Sequence, residues 1–220
     1  MRDLPTRVSC VVFDCDGVLV DTEPIWAASE HEVIAGYGAR LDHEHRKLLL
    51  GSSWDDSLVV LAGVAGTDDV DELGRRLLTI AQRRLRTETV PLPGARDVLE
   101  ALAGRVPCGV GSNARPDNLR IELECAGLAQ YADVMISGDE VAQPKPAPDV
   151  YLEVCHRLGA DPTQALGVED SPPGAHALIA AGIPTVVIPT LPDAPIEHDW
   201  RFDSLEQLVD WARTVEPLGR

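Results

Sequence analysis

Asp14-Cys15-Asp16-Gly17 is the segment of this chain best equipped for chemistry. Two carboxylates, two residues apart, stand directly after the apolar run from Val8 to Phe13. Like charges in a partly dry place repel, and one of them tends to take up a proton. A divalent cation relieves that conflict at Asp14 and leaves Asp16 to work as an acid or base. Gly17 lets the backbone turn and come close to a ligand. The plain alternative is a surface turn with helix-capping acids, but a cap does not need paired acids on a buried strand. Further along stand Ser112-Asn113, Glu169-Asp170-Ser171, and Lys145 in a loop stiffened by Pro144, Pro146 and Pro148. The only lysines are Lys47 and Lys145, so a role that needs an amine has two candidates.

The elements that must position these groups follow from the hydrophobic pattern. Residues 8–13 read as a buried strand ending at Asp14. Helical spacing then takes over, with helices expected at 23–37, 42–50, 54–61 and 71–86. Pro91-Leu92-Pro93-Gly94 punctuates the chain. Beyond it, helices at 95–103, 117–126, 149–158 and 175–181 alternate with strands at 106–110, 132–136, 165–168 and 185–188. Such alternation implies an α/β fold with a Rossmann-like parallel sheet. An ordinary connection in such a fold is roughly 2–6 residues, so the helical stretch after the first strand is a small domain of its own. The expected division is a core domain at 1–20 and 91–220 and a helical cap domain at 21–90. Ligands of open parallel sheets sit at the carboxyl ends of the strands. Asp14, Ser112 and Glu169-Asp170 are expected just after strand ends, and Lys145 in the loop after another.

Of 220 residues, 45% are hydrophobic and 25% charged, and the net charge is -17. That balance argues against a nucleic-acid or membrane partner, since both need a basic face. Five cysteines without a C-x-x-C pair, and no long apolar run before Asp14, lead us to expect reduced thiols in the cytoplasm. No apolar stretch approaches the roughly 20 residues that span a bilayer. Gly109-Val110-Gly111-Ser112-Asn113-Ala114 matches a dinucleotide-binding glycine pattern, but it lies outside the first βα unit and Asp133 opens the next strand instead of closing it. His43-Glu44-His45 reads as a solvated helix, because positions i and i+2 do not share a face.

Over nearly its whole length the sequence resembles the haloacid dehalogenase superfamily. Four motifs occur in the family's order: Asp14-x-Asp16-Gly17-Val18, Ser112, Lys145-Pro146-Ala147-Pro148-Asp149, and Gly167-Val168-Glu169-Asp170-Ser171. The resemblance implies that Asp14 attacks phosphorus and becomes an aspartyl-phosphate, while Asp16 protonates the leaving oxygen and then activates water. It implies Mg²⁺ held by the Asp14 carboxylate, the Asp16 backbone oxygen and Asp170, with Glu169 direct or through water. Ser112 would donate to the phosphoryl group, and Lys145 would supply positive charge. Gly17, Asn113, Arg115 and Trp54 are candidate substrate contacts; a solvated first-turn arginine and a cap-core ring are the alternative readings of Arg115 and Trp54.

The segment Gly51-Ser52-Ser53-Trp54-Asp55-Asp56-Ser57-Leu58 resembles the cap loop of the β-phosphoglucomutase-like subgroup, whose cap closes over the site. Mutases of that subgroup place an arginine where this chain has Trp54 and a histidine where it has Trp26, which weakens a mutase reading. A dehalogenase lacks the second acid, and phosphonate hydrolysis needs a cap lysine, where Lys47 is the only candidate. The expected activity is hydrolysis of a small, sugar-phosphate-like monoester by a monomer or weak homodimer. The alternatives are a phosphosugar mutase and, from another class, a receiver-like switch or a non-catalytic binder of phosphorylated ligands.

Overall fold

The computed structural model describes residues 3–49, 54–190 and 195–218. The chain forms two compact units, residues 1–21 with 90–220, and residues 22–89. In order, the elements are β1 (Arg7–Val8), β2 (Val11–Phe13), α1 (Glu23–Gly36), α2 (His43–Leu49), α3 (Trp54–Ala65), α4 (Val70–Glu88), α5 (Ala95–Leu102), β3 (Cys108–Ser112), α6 (Pro116–Cys125), β4 (Val134–Ser137), α7 (Asp149–Leu158), β5 (Leu166–Glu169), α8 (Pro172–Ala180), β6 (Thr185–Val187), β7 (Trp200–Arg201), α9 (Val209–Thr214) and β8 (Glu216–Pro217). The Leu50 end of the helix expected at 42–50, and the Gly51-Ser52-Ser53 part of the cap loop, lie outside the described residues. None of the described helices is long and apolar enough to cross a membrane.

The larger unit is built on a parallel six-stranded sheet of order β4-β3-β2-β5-β6-β7. The chain runs outward from β2 through β3 and β4, then returns to the other side of β2 for β5, β6 and β7. The direction therefore reverses at β2, and Asp14 follows that strand directly. Side chains of β2 alternate between two cores, as the pleat requires. Val11 and Phe13 join Leu99 and Leu102 of α5 and Leu119 and Leu123 of α6. Val12 joins Val150, Tyr151 and Val154 of α7 and Ala177 and Leu178 of α8. The sheet is thus covered by helices on both faces.

Three details differ from the sequence reading. The strand expected at 8–13 is split: β1 pairs with β8, β2 pairs with β3 and β5, and Ser9 between them donates to the Gln164 carbonyl at 2.8 Å. Ser112 and Glu169 are the last residues of β3 and β5 and do not follow them. Elements beyond residue 188 were not anticipated, yet Leu205, Leu208 and Ala212 bury into the α5 side of the core.

Strand β3 also explains its glycines. A Cβ on Gly109 would lie 2.3 Å from Val154 Cγ1, and one on Gly111 would lie 2.7 Å from Val150 Cγ1. The glycine pattern at 109–114 therefore marks close packing of α7 on the sheet, not a cradle for a dinucleotide.

The smaller unit packs α1, α3 and α4 around Ile34, Leu61, Leu73 and Leu77. The α4 N-terminus is capped by Asp69, which accepts from the Glu72 N–H at 3.0 Å. Asp42 accepts from the His45 N–H at 2.9 Å, so the His43-Glu44-His45 run is a helix start. Buried Glu30 of α1 pairs with Arg46 of α2, which also reaches Glu23 at 2.6 Å.

Two outcomes are expected from this packing. Gly109→Ala should lower stability in urea by about 1–3 kcal/mol through overpacking, and adding Val154→Ala should recover part of the loss. Strictly additive effects would show that contact with α7 is not what selects glycine there. Burial pushes the Glu30 carboxyl from 4.5 up to about 7, with Arg46 opposing and Glu23 adding. Between those values the folded state holds a proton that the unfolded state has released, so stability from this residue falls as pH rises through that window. The thermal midpoint of Glu30→Gln, relative to the natural chain, should therefore rise from pH 5 to pH 8. An equal gap at both pH values would contradict the assignment.

Candidate active site

The polar side chains of the site come from the ends of β2, β3 and β5 and from the loop that carries Lys145, all in the larger unit. Asp14 is buried, its backbone N–H donating to the Val168 carbonyl at 2.9 Å. Its Oδ1 accepts from the Lys145 Nζ at 2.5 Å. The loop then turns at Gly17, whose φ of 76° lies in the left-handed region. A Cβ there would sit 2.2 Å from Asp170 Oδ2, so glycine also gives Asp170 room to approach. Half-buried Asp16 accepts at Oδ2 from Ser112 Oγ, 3.3 Å away. Ser112 Oγ in turn accepts from the Ala114 N–H at 2.9 Å.

Lys145 is held by its backbone as well as by its charge. The Asn113 amide accepts from the Lys145 N–H at 2.9 Å and donates to the Lys145 carbonyl at 3.0 Å. Asn113 was expected to touch substrate; in the structure both ends of its amide brace the lysine loop. The Lys145 amine also donates to Glu169 Oε1 at 2.9 Å and lies 4.5 Å from the centre of the Tyr151 ring.

Glu169 is fully buried and accepts five hydrogen bonds. Lys145 Nζ and the Tyr151 hydroxyl, at 2.8 Å, share Oε1. The N–H groups of Asp170 and Ser171, with Ser171 Oγ, share Oε2. Glu169 thus sits at the start of α8, where the backbone dipole favours an anion. A Cβ on Gly174, in the first turn of α8, would fall 1.5 Å from Glu169 Oε1. Asp170, half-buried, accepts at Oδ2 from Thr190 Oγ1.

Charge at the site is unbalanced. Carboxylate oxygens of Asp14, Glu169 and Asp170 lie within 4.8 Å of one another. Burial pushes the Asp14 carboxyl up, Lys145 opposes that, and the three neighbouring acids add to it. Burial and then Glu169 raise Asp170 to about 7, with Thr190 opposing. Burial disfavours the Lys145 charge, but Asp14 and Glu169 outweigh it and hold the amine above its ordinary range. For Glu169, burial is likewise outweighed, chiefly by Lys145, and its carboxyl stays below the usual range. Converging carboxylate oxygens are hard donors of the kind that hold a divalent cation, and this donor set fits one.

Sequence reasoning missed three residues that touch this group. Tyr151 lies inside the helix expected at 149–158, and Thr190 lies past the last motif. Glu122 of α6 is fully buried, and its Oε2 accepts from Cys15 Sγ at 3.7 Å. Burial, then Asp16, push its carboxyl up. Its place three residues after Leu119, on the inward helix face, was the signal available for it. Of the other candidates, Arg115 is exposed at the N-cap of α6. Trp54 opens α3 in the smaller unit, its ring centre 6.3 Å from that of Trp26 at 70°.

Comparison with known proteins follows the same lines. The model of the haloacid dehalogenase-like hydrolase family matches residues 11–188. Fructose-1-phosphate phosphatase YqaB of Escherichia coli is 32% identical over 82% of this chain and 96% of its own. A phosphorylated carbohydrates phosphatase of Thermotoga maritima is 30% identical over 80% of this chain and 82% of its own. The solved structure of a proposed β-phosphoglucomutase from Thermotoga maritima covers 92% of this chain and 97% of its own, with TM-score 0.81 and 26% identity. The motifs, the sheet order and these matches agree: the chain belongs to the haloacid dehalogenase-like hydrolases, in their β-phosphoglucomutase-like subgroup, and is a phosphoric monoester hydrolase of that superfamily.

Proposed function

We propose that the protein is a Mg²⁺-dependent phosphatase that cleaves a small, sugar-phosphate-like monoester by way of a phosphoryl group carried on Asp14. The observation behind this reading is the Asp14 carboxylate at the strand where the sheet reverses, paired with Lys145 and faced by Glu169 and Asp170. Asp14, Asp170 and the Asp16 backbone oxygen would hold the ion, with Glu169 behind them, its oxygens already engaged by five donors. When bound, Mg²⁺ supplies charge neutralisation for the carboxylates and the phosphoryl oxygens together.

The chain's own residues supply the rest. Asp14 attacks phosphorus, and the bond to the leaving oxygen breaks as Asp16 hands that oxygen a proton. Asp16 then takes a proton from water, which attacks the phosphoryl group and frees Asp14 and inorganic phosphate. Ser112 orients the Asp16 carboxylate through the hydrogen bond described above. Lys145 favours the ionised form of Asp14 against burial and the neighbouring acids, and offers positive charge where the transferred oxygens gather.

Sugar phosphate is the proposed class because relatives are described as phosphatases of fructose 1-phosphate, of phosphorylated carbohydrates and of hexitols. A net charge of -17 supports a small metabolite over nucleic acid or an anionic membrane. Five free cysteines support a reducing compartment. A mutase reading rests on the Thermotoga maritima neighbour. Against it, Trp26 and Trp54 stand where the subgroup's mutases carry histidine and arginine, and they pack on each other.

Turnover of p-nitrophenyl phosphate and of a sugar-phosphate panel should require Mg²⁺, stop with chelator and return with added Mg²⁺. Asp14→Asn should fall to background, and Asp16→Asn should lose about 10²–10⁴-fold in kcat. Phosphorylation that stops at one phosphate per chain would favour a switch. Failure to hydrolyse any phosphate ester would reject the enzyme reading, and interconversion of glucose phosphates without release of phosphate would favour the mutase.

A further inference from the structure

We infer that Tyr151 is a positioning residue of this site: by hydrogen bonding to Glu169 and lying under the Lys145 amine, it holds that amine on Asp14. The inference rests on the phosphatase reading and names a residue that none of the four motif positions contains.

Tyr151 is the third residue of α7, after Asp149 and Val150, and is fully buried. Its ring occupies a slot beside β3, where a Cβ on Gly111 would be 3.2 Å from two ring carbons. From that slot the hydroxyl reaches Glu169 Oε1 at 2.8 Å. The same oxygen accepts from Lys145 Nζ at 2.9 Å, and Lys145 continues to Asp14 at 2.5 Å. The four side chains form one chain of contacts: Tyr151, Glu169, Lys145, Asp14. The ring adds a second hold, since the amine is 4.5 Å from its centre, within the range of a cation–π contact.

The arrangement answers a physical need. A lysine side chain has four rotatable bonds, and an amine drawn by two carboxylates can settle anywhere between them. Tyr151 restricts both partners. Its hydroxyl occupies one acceptor direction of Oε1, so Glu169 keeps a single orientation, with Oε2 pinned by the α8 N-terminus. Its ring centre lies 4.5 Å from the amine and limits where the amine can settle. Phenylalanine would fill the same slot and leave Glu169 with one fewer donor.

The test uses two variants and two readouts. Tyr151→Phe keeps the ring and removes the hydroxyl. At saturating Mg²⁺ its kcat should drop about 10–100-fold with little change in KM, as for other residues that orient a site from behind. Glu169→Gln should be as impaired, and the double variant should be no worse than Glu169→Gln alone. The second readout does not depend on activity. The chain has two lysines, so ¹³C-lysine labelling gives two ε-methylene groups to assign. The Lys145 signal, shifted by the nearby ring, should move in Tyr151→Phe although the ring remains, because the amine leaves its place. An unmoved Lys145 signal, or a double variant whose loss is the product of the two single losses, would overturn the inference. If the natural chain hydrolyses no phosphate ester, the phosphatase reading fails, while the lysine signal still decides whether Tyr151 holds Lys145.

Discussion

The structure of this site turns on the attraction between one buried amine and the acids around it. Asp14, Glu169 and Asp170 converge in a desolvated place at the end of the sheet, where their mutual repulsion is poorly screened. Lys145 meets two of them directly and is itself buried. Removing such a lysine would leave carboxylates without a counter-charge, a far larger effect than breaking an exposed pair. The surplus of negative charge that remains is also what makes the site attractive to a divalent cation, so stability and function draw on the same imbalance.

The fold meets this constraint with backbone groups more than with further cations. Glu169 lies against the N-terminus of α8 and takes two backbone N–H bonds there. Asn113 grips the Lys145 backbone from the end of β3. Glycines make the approaches possible: Gly17 beside Asp170, and Gly174 beside Glu169. These supports come from rigid strand ends and helix starts. Such placement suits chemistry whose barrier falls mainly through position and charge.

The smaller unit handles charge differently. Arg46, Arg75, Arg76, Arg83 and Arg84 pair with glutamates of the same unit. Most of those pairs are exposed and contribute little apiece. Its stability comes from the apolar faces of α1, α3 and α4, with Trp26 and Trp54 packed edge to face. Aromatic rings at those positions offer apolar surface and stacking faces, a different chemistry from the arginine and histidine of the subgroup's mutases.

Much of the architecture was legible in the residues. Spacing located α1, α4, α5 and α7 to within two residues at either end, because apolar periodicity is strong in α4, α5 and α7 and Pro or Gly stands near the ends of all four. The Asp14, Lys145 and Glu169-Asp170 segments stood out because acids next to apolar runs, and a lone lysine among prolines, carry a cost that structure must explain. Less legible were the short strands, where Ser112 and Glu169 proved to be inside β3 and β5, and the elements beyond residue 188. By itself, then, the sequence determined which residue types were available and that a parallel sheet would carry them. Only the tertiary structure decided that Tyr151 meets Glu169, that Asn113 braces Lys145, and that Glu122 lies against Cys15. The reason is physical: those contacts join residues from different elements, and which faces meet is set by how α6 and α7 pack on the sheet, not by any local pattern in the chain.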